Sequence, residues 1–260
     1  MMYDVHVLVQ GYPGRSVCHG GLGWSTVTLL RGGGRVILVD AGGYATRPEI
    51  GKQLSALRVS PLDVTDVVLT HAHHDHACNF TLFPEATVWI GQKELEWAVA
   101  QTPGFNPLAE LHARELASLD RVQRLQGGQR FLQWFEAVDV PGHTPGHLAY
   151  YFTGNPQHLL FTGDAAKNRA ELLSQDVAMT FDAVQSARSI ETIWRYWRAH
   201  PETILIPGHD LSMRLDAEGQ PEYLGTRRAG IEAWFSETLE STTFFDLTGG
   251  GKVGVGYRDA

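Results

Sequence analysis

The chain has 260 residues, 43% of them hydrophobic and 19% charged, a globular balance that excludes fibrous and intrinsically disordered classes. A formal net charge of −8 sets the global field against nucleic acid and anionic membrane surfaces. Only 2 cysteines, Cys18 and Cys78, exclude a disulfide scaffold or thiolate zinc finger, so the 12 histidines are the feature to explain.

Strand-like runs at residues 5–10, 25–30 and 35–40 open the chain, the last two joined as a hairpin across Arg31-Gly32-Gly33-Gly34. Helical spacing follows over 47–57, then an apolar strand at 66–69 that stops at a histidine cluster. A strand at 87–90 leads into a helix over 92–100, ended by Pro103. Residues 101–106, rich in Gly, Pro and Phe, suggest a substrate-covering loop before a helix near 109–119. Strands are expected at 136–140, 148–152 and 158–161, then a helix from Asp182 to about 200, with Asp182 as N-cap. On that helix Ile190, Ile193, Trp194 and Trp197 share one face, which suits core packing. A last strand at 203–206, a helix over 226–239 and a flexible or edge-like tail at 249–260 complete the chain. Without a repeat or a composition break, a single domain over 1–260 is expected. Two blocks of strands, each followed by helices, suggest two packed sheets with helices outside. The start Met1-Met2-Tyr3-Asp4 carries no basic-then-apolar leader and no run approaches the roughly 18 apolar residues of a membrane span, so the expectation is a cytoplasmic protein without a membrane partner.

The chemistry concentrates where apolar strands end. Thr70-His71-Ala72-His73-His74-Asp75-His76 sets four imidazoles and a carboxylate within six positions, groups that are costly to bury unpaired. Three later runs end in Pro141-Gly142-His143, Thr162-Gly163-Asp164 and Pro207-Gly208-His209, each with a glycine before a metal-competent side chain. Glycine there permits a tight turn and a close backbone approach. The donors His71, His73, Asp75, His76, His143, Asp164 and His209 exceed what one tetrahedral ion can use, whereas two ions sharing a carboxylate accommodate them all. Imidazole with carboxylate suits zinc or iron better than the all-oxygen sites of magnesium or calcium.

Taken together these motifs, with Thr144-Pro145-Gly146-His147 and the upstream Leu38-Val39-Asp40-Ala41-Gly42, resemble the metallo-β-lactamase-fold superfamily over about residues 3–210. The resemblance implies an α+β fold, a four-layer αββα sandwich. It implies one ion on His71, His73 and His143, a second on Asp75, His76 and His209, Asp164 as the bridge, and Asp40 orienting a ligand from behind. The ions would be two divalent metals, zinc ahead of iron or manganese. The implied activity is a dinuclear metal-dependent hydrolase, in which hydroxide held between the ions attacks an ester, lactone or thioester carbonyl of a small-molecule substrate. Asp75 and Asp164 are the residues expected to take part in the chemistry, Asp75 by passing a proton to the leaving group.

Branches of the superfamily differ at identifiable positions. Asp164 stands where some β-lactamases carry a cysteine ligand, so β-lactam hydrolysis is not expected. The Thr-His-x-His-x-Asp-His, Pro-Gly-His-Thr-x-Gly-His and Phe-Thr-Gly-Asp phrasing is that of glyoxalase II, a thioester hydrolase whose C-terminal helical domain is not matched by the 51 residues after His209. Acyl-homoserine lactonases share the signature but place Tyr where Lys167 stands. Val5-His6-Val7-Leu8-Val9-Gln10-Gly11-Tyr12 is similar to a small animal member associated with histone pre-mRNA processing, so a phosphodiesterase or nuclease is the alternative, disfavoured by the acidic charge. A non-catalytic metal-binding regulatory protein is a further alternative, and a homodimer is compatible with the sequence. His147 is expected behind the ligands and Cys78 as a small core residue, while His6, His19, His112, His158 and His200 show no clustering.

Overall fold

The computed structural model describes residues 2–16, 20–104 and 107–249. The chain opens with β1 (Asp4–Val9), a small ribbon of β2 (Arg15–Ser16) and β3 (Gly20–Gly21), and the hairpin β4 (Val27–Gly32) and β5 (Arg35–Val39). Helix α1 (Arg47–Ala56), β6 (Asp66–Val68), the single turn α2 (His74–Ala77), β7 (Thr87–Gly91), α3 (Gln92–Ala100), α4 (Glu110–Ser118) and β8 (Val122–Leu125) follow. Then come β9 (Arg130–Phe131), β10 (Phe135–Asp139), β11 (Leu148–Phe152), β12 (Leu159–Gly163), α5 (Arg169–Ser174) and α6 (Ala183–Ala199). Strands β13 (Ile204–Pro207), β14 (Met213–Leu215), β15 (Pro221–Tyr223), β16 (Gly230–Ala233) and β17 (Thr243–Asp246) close the described chain.

Two mixed sheets result, one in the order β1-β4-β5-β6-β7-β8 and the other β15-β14-β13-β12-β11-β10-β9. Their strands read as continuous apolar runs because both faces are covered. In the first sheet Leu29, Leu38 and Val67 pack with Ile50 and Leu54 of α1, Leu95 of α3 and Leu116 of α4. Their chain neighbours Leu30, Ile37 and Val68 face the other way, onto Phe135, Tyr150, Phe152 and Phe161 of the second sheet. The far face of that sheet, through Val138, Leu160 and Leu205, meets Ile190, Ile193, Trp194 and Trp197 of α6. Helix, sheet, sheet and helix are therefore stacked as the αββα sandwich anticipated from the motifs. None of the described helices is long and apolar enough to cross a membrane.

Parallel pairing sets where the site forms. β5, β6 and β7 run parallel, as do β12 and β13, so each set delivers its following loops to one edge. Asp182 caps α6 by accepting from the Gln185 N–H at 3.0 Å.

One expected element is different. Residues 226–239 do not form a helix: β16 pairs antiparallel with β17, Ile231 opposite Phe245. The described residues fall into two compact units, one ending at Leu224 and one beginning at Gly225. His19, residues 105–106 of the expected covering loop and residues 250–260 of the expected tail lie outside the described residues.

Trp197 is fully buried and donates its indole N–H to the Thr203 carbonyl at 2.8 Å. Trp197→Ala removes a large apolar volume and strands that acceptor, so denaturant unfolding should show a loss of about 3–5 kcal/mol. A loss under about 1 kcal/mol would contradict the packing role assigned to this helix face.

Candidate metal centre

Four loops bring the seven sequence-derived donors together. The loop after β6 supplies His71 and His73 and passes into α2, which carries Asp75 and His76. The loop after β10 supplies His143, while Asp164 and His209 follow β12 and β13. Glycine is needed at these strand ends: Gly142 and Gly163 have φ of 136° and 48°, and a Cβ at Gly208 would collide with the Asp164 carboxylate.

Donor atoms converge in three overlapping groups, each within 4.8 Å: His71, His73 and His143; His71, His76 and Asp164; and Asp75, His76 and His209. His143 Nε2 lies 2.9 Å from His73 Nδ1, and His76 Nε2 lies 3.3 Å from His209 Nε2. The two oxygens of Asp164 face different groups. Oδ2 is 3.3 Å from His143 Nε2, whereas Oδ1 is 3.1 Å from His76 Nε2 and 3.3 Å from His209 Nε2. Asp75 Oδ2 is 3.2 Å from His209 Nε2.

The arrangement fits divalent cations on its own geometry. Buried His71 Nε2 has no hydrogen-bond partner, and imidazole nitrogens point at one another. Buried polar atoms are normally paired, so nitrogen and carboxylate donors converging on a shared point mark a place for a positive ion.

The side chains share protons unevenly. Burial lowers His71 and His143 well below the ordinary imidazole range and His73 to about 4. Burial opposes charge on His76 and His209 too, but Asp164 and Asp75 outweigh it, raising His76 and holding His209 at about 9. Against their own burial, Asp75 is lowered chiefly by His76 and Asp164 chiefly by His209.

A surrounding ring of side chains fixes the ligands. Asp40, in a left-handed conformation at φ 55°, accepts from the Thr70 N–H and pairs with His76 Nδ1, both at 2.8 Å, as expected for a carboxylate behind a ligand. His147 is buried, and its Nε2 accepts the Asp164 N–H at 3.0 Å, so it holds Asp164 from behind. Thr26 donates from its N–H to Gly208 O at 2.6 Å and from its hydroxyl to Pro207 O at 2.7 Å. Lys167 accepts the His209 N–H on its carbonyl, while its Nζ sits 3.0 Å from Glu171 and donates to Ala178 O at 2.9 Å.

Glu94 was not foreseen. From inside α3 its carboxylate accepts the Ala72 N–H at 2.9 Å, between His71 and His73, and the Thr144 hydroxyl at 2.6 Å, next to His143. It ties two ligand loops together. The local pattern Gln92-Lys93-Glu94 reads as an ordinary helix start, and no sequence signal marks its burial.

Other residues fall around this centre. His74 is exposed and bonds Pro107 O at 3.0 Å, and Cys78 is a buried thiol that burial pushes up to about 11. His112 meets the Tyr44 hydroxyl at 2.8 Å. The expectation that His158 and His200 are unclustered is corrected: with Glu202 they form a separate donor group, because the end of α6 returns to the start of β12.

Comparison with known proteins agrees with this architecture. A family model described as the metallo-beta-lactamase superfamily matches residues 20–209. Metallo-beta-lactamase domain-containing protein 1 of Xenopus laevis is 37% identical over 227 residues, 84% of each chain. A hydroxyacylglutathione hydrolase of Fuscovulum blasticum is 33% identical over 180 residues, 68% of this chain and 58% of that protein. The chain thus spans less than two thirds of the hydroxyacylglutathione hydrolase it matches. AidC, a dizinc quorum-quenching lactonase, superposes with a TM-score of 0.61 at 18% identity over 78% of this chain and 80% of its own, a likeness of fold alone.

Two outcomes follow from the electrostatics. Burial pushes Glu94 up from 4.5 to about 7, so between those values the folded state keeps a proton that the unfolded state has lost. Wild type should therefore lose stability relative to Glu94→Gln, by about 2 kcal/mol, as pH rises from 4.5 to 7; parallel unfolding curves across that range would refute the buried carboxyl. His209, protonated at pH 7, must release its proton to bind an ion. Loading metal-free protein with Zn²⁺ in weak buffer should acidify the solution, and no proton release would contradict the charge distribution.

Proposed function

Because the chain belongs to the metallo-beta-lactamase superfamily, we propose that it is a metal-dependent hydrolase of ester, lactone or thioester carbonyls, with thioesters favoured. The observation that carries this reading is the Asp164 carboxylate, one oxygen toward His143 and the other toward His76 and His209. In this reading His71, His73 and His143 hold one divalent ion, Asp75, His76 and His209 a second, and Asp164 serves both. The nitrogen-rich donor set favours zinc, with iron or manganese as the other candidates. Such a pair supplies Lewis acidity to a carbonyl oxygen and brings the acidity of water near neutrality.

The chain's own side chains do the rest. Asp75 Oδ2 faces His76 and His209, whereas Oδ1 lies 4.0 Å from Nδ1 of exposed His74. Oδ1 is therefore the atom placed to carry a proton toward a departing alkoxide or thiolate. Asp40, Glu94 and His147 keep the ligand loops from rearranging as charge develops. Lys167 stands where the lactonases carry a tyrosine, yet its Nζ is committed to Glu171 and Ala178 and does not replace a phenol as donor to substrate. This favours thioester or ester over tyrosine-assisted lactone opening, a reading supported by the relative named hydroxyacylglutathione hydrolase.

The test is Asp164→Asn, which removes the shared charge. Metal content should fall and hydrolysis should drop by more than the roughly 10–100-fold seen when outer partners of metal ligands are changed. Two ions retained with full turnover would sink the assignment. Wild type should cleave thioesters and esters faster than bis-nitrophenyl phosphate; the reverse order would favour the phosphodiesterase.

A further inference from the structure

We propose that His158, His200 and Glu202 form a second, separate binding site for a borderline divalent cation such as Zn²⁺. Among the described residues it is the one group of three metal-competent side chains outside the central cluster, with one donor atom from each within 4.8 Å of the others. His158 immediately precedes β12, whose opposite end delivers Asp164. At roughly 3.3 Å per strand residue the two sites lie about 20 Å apart. The claim is therefore independent of the hydrolase reading.

The backbone carrying the donors is already fixed. Thr203 N–H donates to His200 O at 2.9 Å, Ile204 N–H to His158 O at 3.0 Å and Gln157 Nε2 to Glu202 O at 3.2 Å. The Tyr151 hydroxyl engages His158 Nδ1 at 2.6 Å, leaving the second ring nitrogen for an ion, the division of labour usual for metal-bound imidazoles. The rings of Tyr151 and His200 lie nearly parallel at 5.9 Å, and His158 meets His200 at 5.3 Å, so ring packing also restrains both imidazoles. His200 Nδ1 stands 3.9 Å from Glu202 Oε1.

Two imidazoles with one carboxylate suit Zn²⁺, Co²⁺, Ni²⁺ or Cu²⁺ and disfavour Mg²⁺ or Ca²⁺, which want oxygen ligands. Both histidines line a cleft of about 580 Å³ that also contains Trp134, Arg195 and Tyr196. Three protein donors leave coordination positions free, so water or a small ligand from this cleft completes the shell.

The experiment uses the untagged full chain, stripped with chelator, titrated with Zn²⁺ and freed of loose metal by gel filtration before elemental analysis. Wild type should retain one equivalent more than His200→Ala, and Glu202→Gln should weaken that equivalent about tenfold or more. Both side chains are exposed, so folding is not at stake. Turnover by His200→Ala should equal that of wild type, and Asp164→Asn should still lose its peripheral equivalent when His200→Ala is added. Equal retention by wild type and His200→Ala overturns the proposal, as does a Zn²⁺ affinity unchanged in both variants.

Discussion

Five imidazoles and two carboxylates held close together away from water set the constraint on which this structure depends. Withdrawing an ionised group from water costs several kcal/mol unless an opposite charge or hydrogen bonds replace the solvent. Here the carboxylates of Asp75 and Asp164 hold protons on His76 and His209, while His71 and His143 stay neutral and His71 Nε2 has no partner. Divalent metal ions would answer the same constraint better, because they would turn mutually facing nitrogens into ligands. The donor geometry then has a cause.

The scaffold meets this constraint from beneath. Parallel pairing of β5 with β6 and of β12 with β13 brings the loops to one edge, and the two apolar layers around the sheets hold that edge rigid. Each ligand loop is then anchored by a group that touches no reacting atom: Asp40 for His76, Glu94 for the loops of His73 and His143, His147 for Asp164, and Thr26 for the loop of His209. Lys167 completes the ring by accepting from the His209 N–H while its ammonium stays with Glu171. Position-specific chemistry on a family fold lies in such residues, since neighbours of one fold differ in substrate.

The converging donors were legible because they follow apolar strands, four of them in the cluster 71–76 and His143, Asp164 and His209 each just after a glycine, patterns that are local in the sequence. The sandwich was legible for a related reason: runs such as Val36-Ile37-Leu38-Val39 are apolar on both faces, which demands cover on both sides. What escaped was non-local. Glu94 looks like a solvent-facing helix residue until the loops of Ala72 and Thr144 close over it. His158 and His200 are far apart in the chain and meet only when α6 returns to β12. Residues 226–239 carry charged and apolar residues at helical spacing, but Gly230 and Ile231 pair with Asp246 and Phe245, and that cross-strand pairing overrides local periodicity.

The central claim is that Asp164 joins two ions, and anomalous diffraction from crystals of the zinc-loaded chain tests it most directly. The account predicts two peaks, one within about 2.0–2.2 Å of nitrogens of His71, His73 and His143, the other likewise bound by Asp75, His76 and His209, with a carboxylate oxygen of Asp164 on each. A single peak, or Asp164 bonded only to imidazoles, would contradict it.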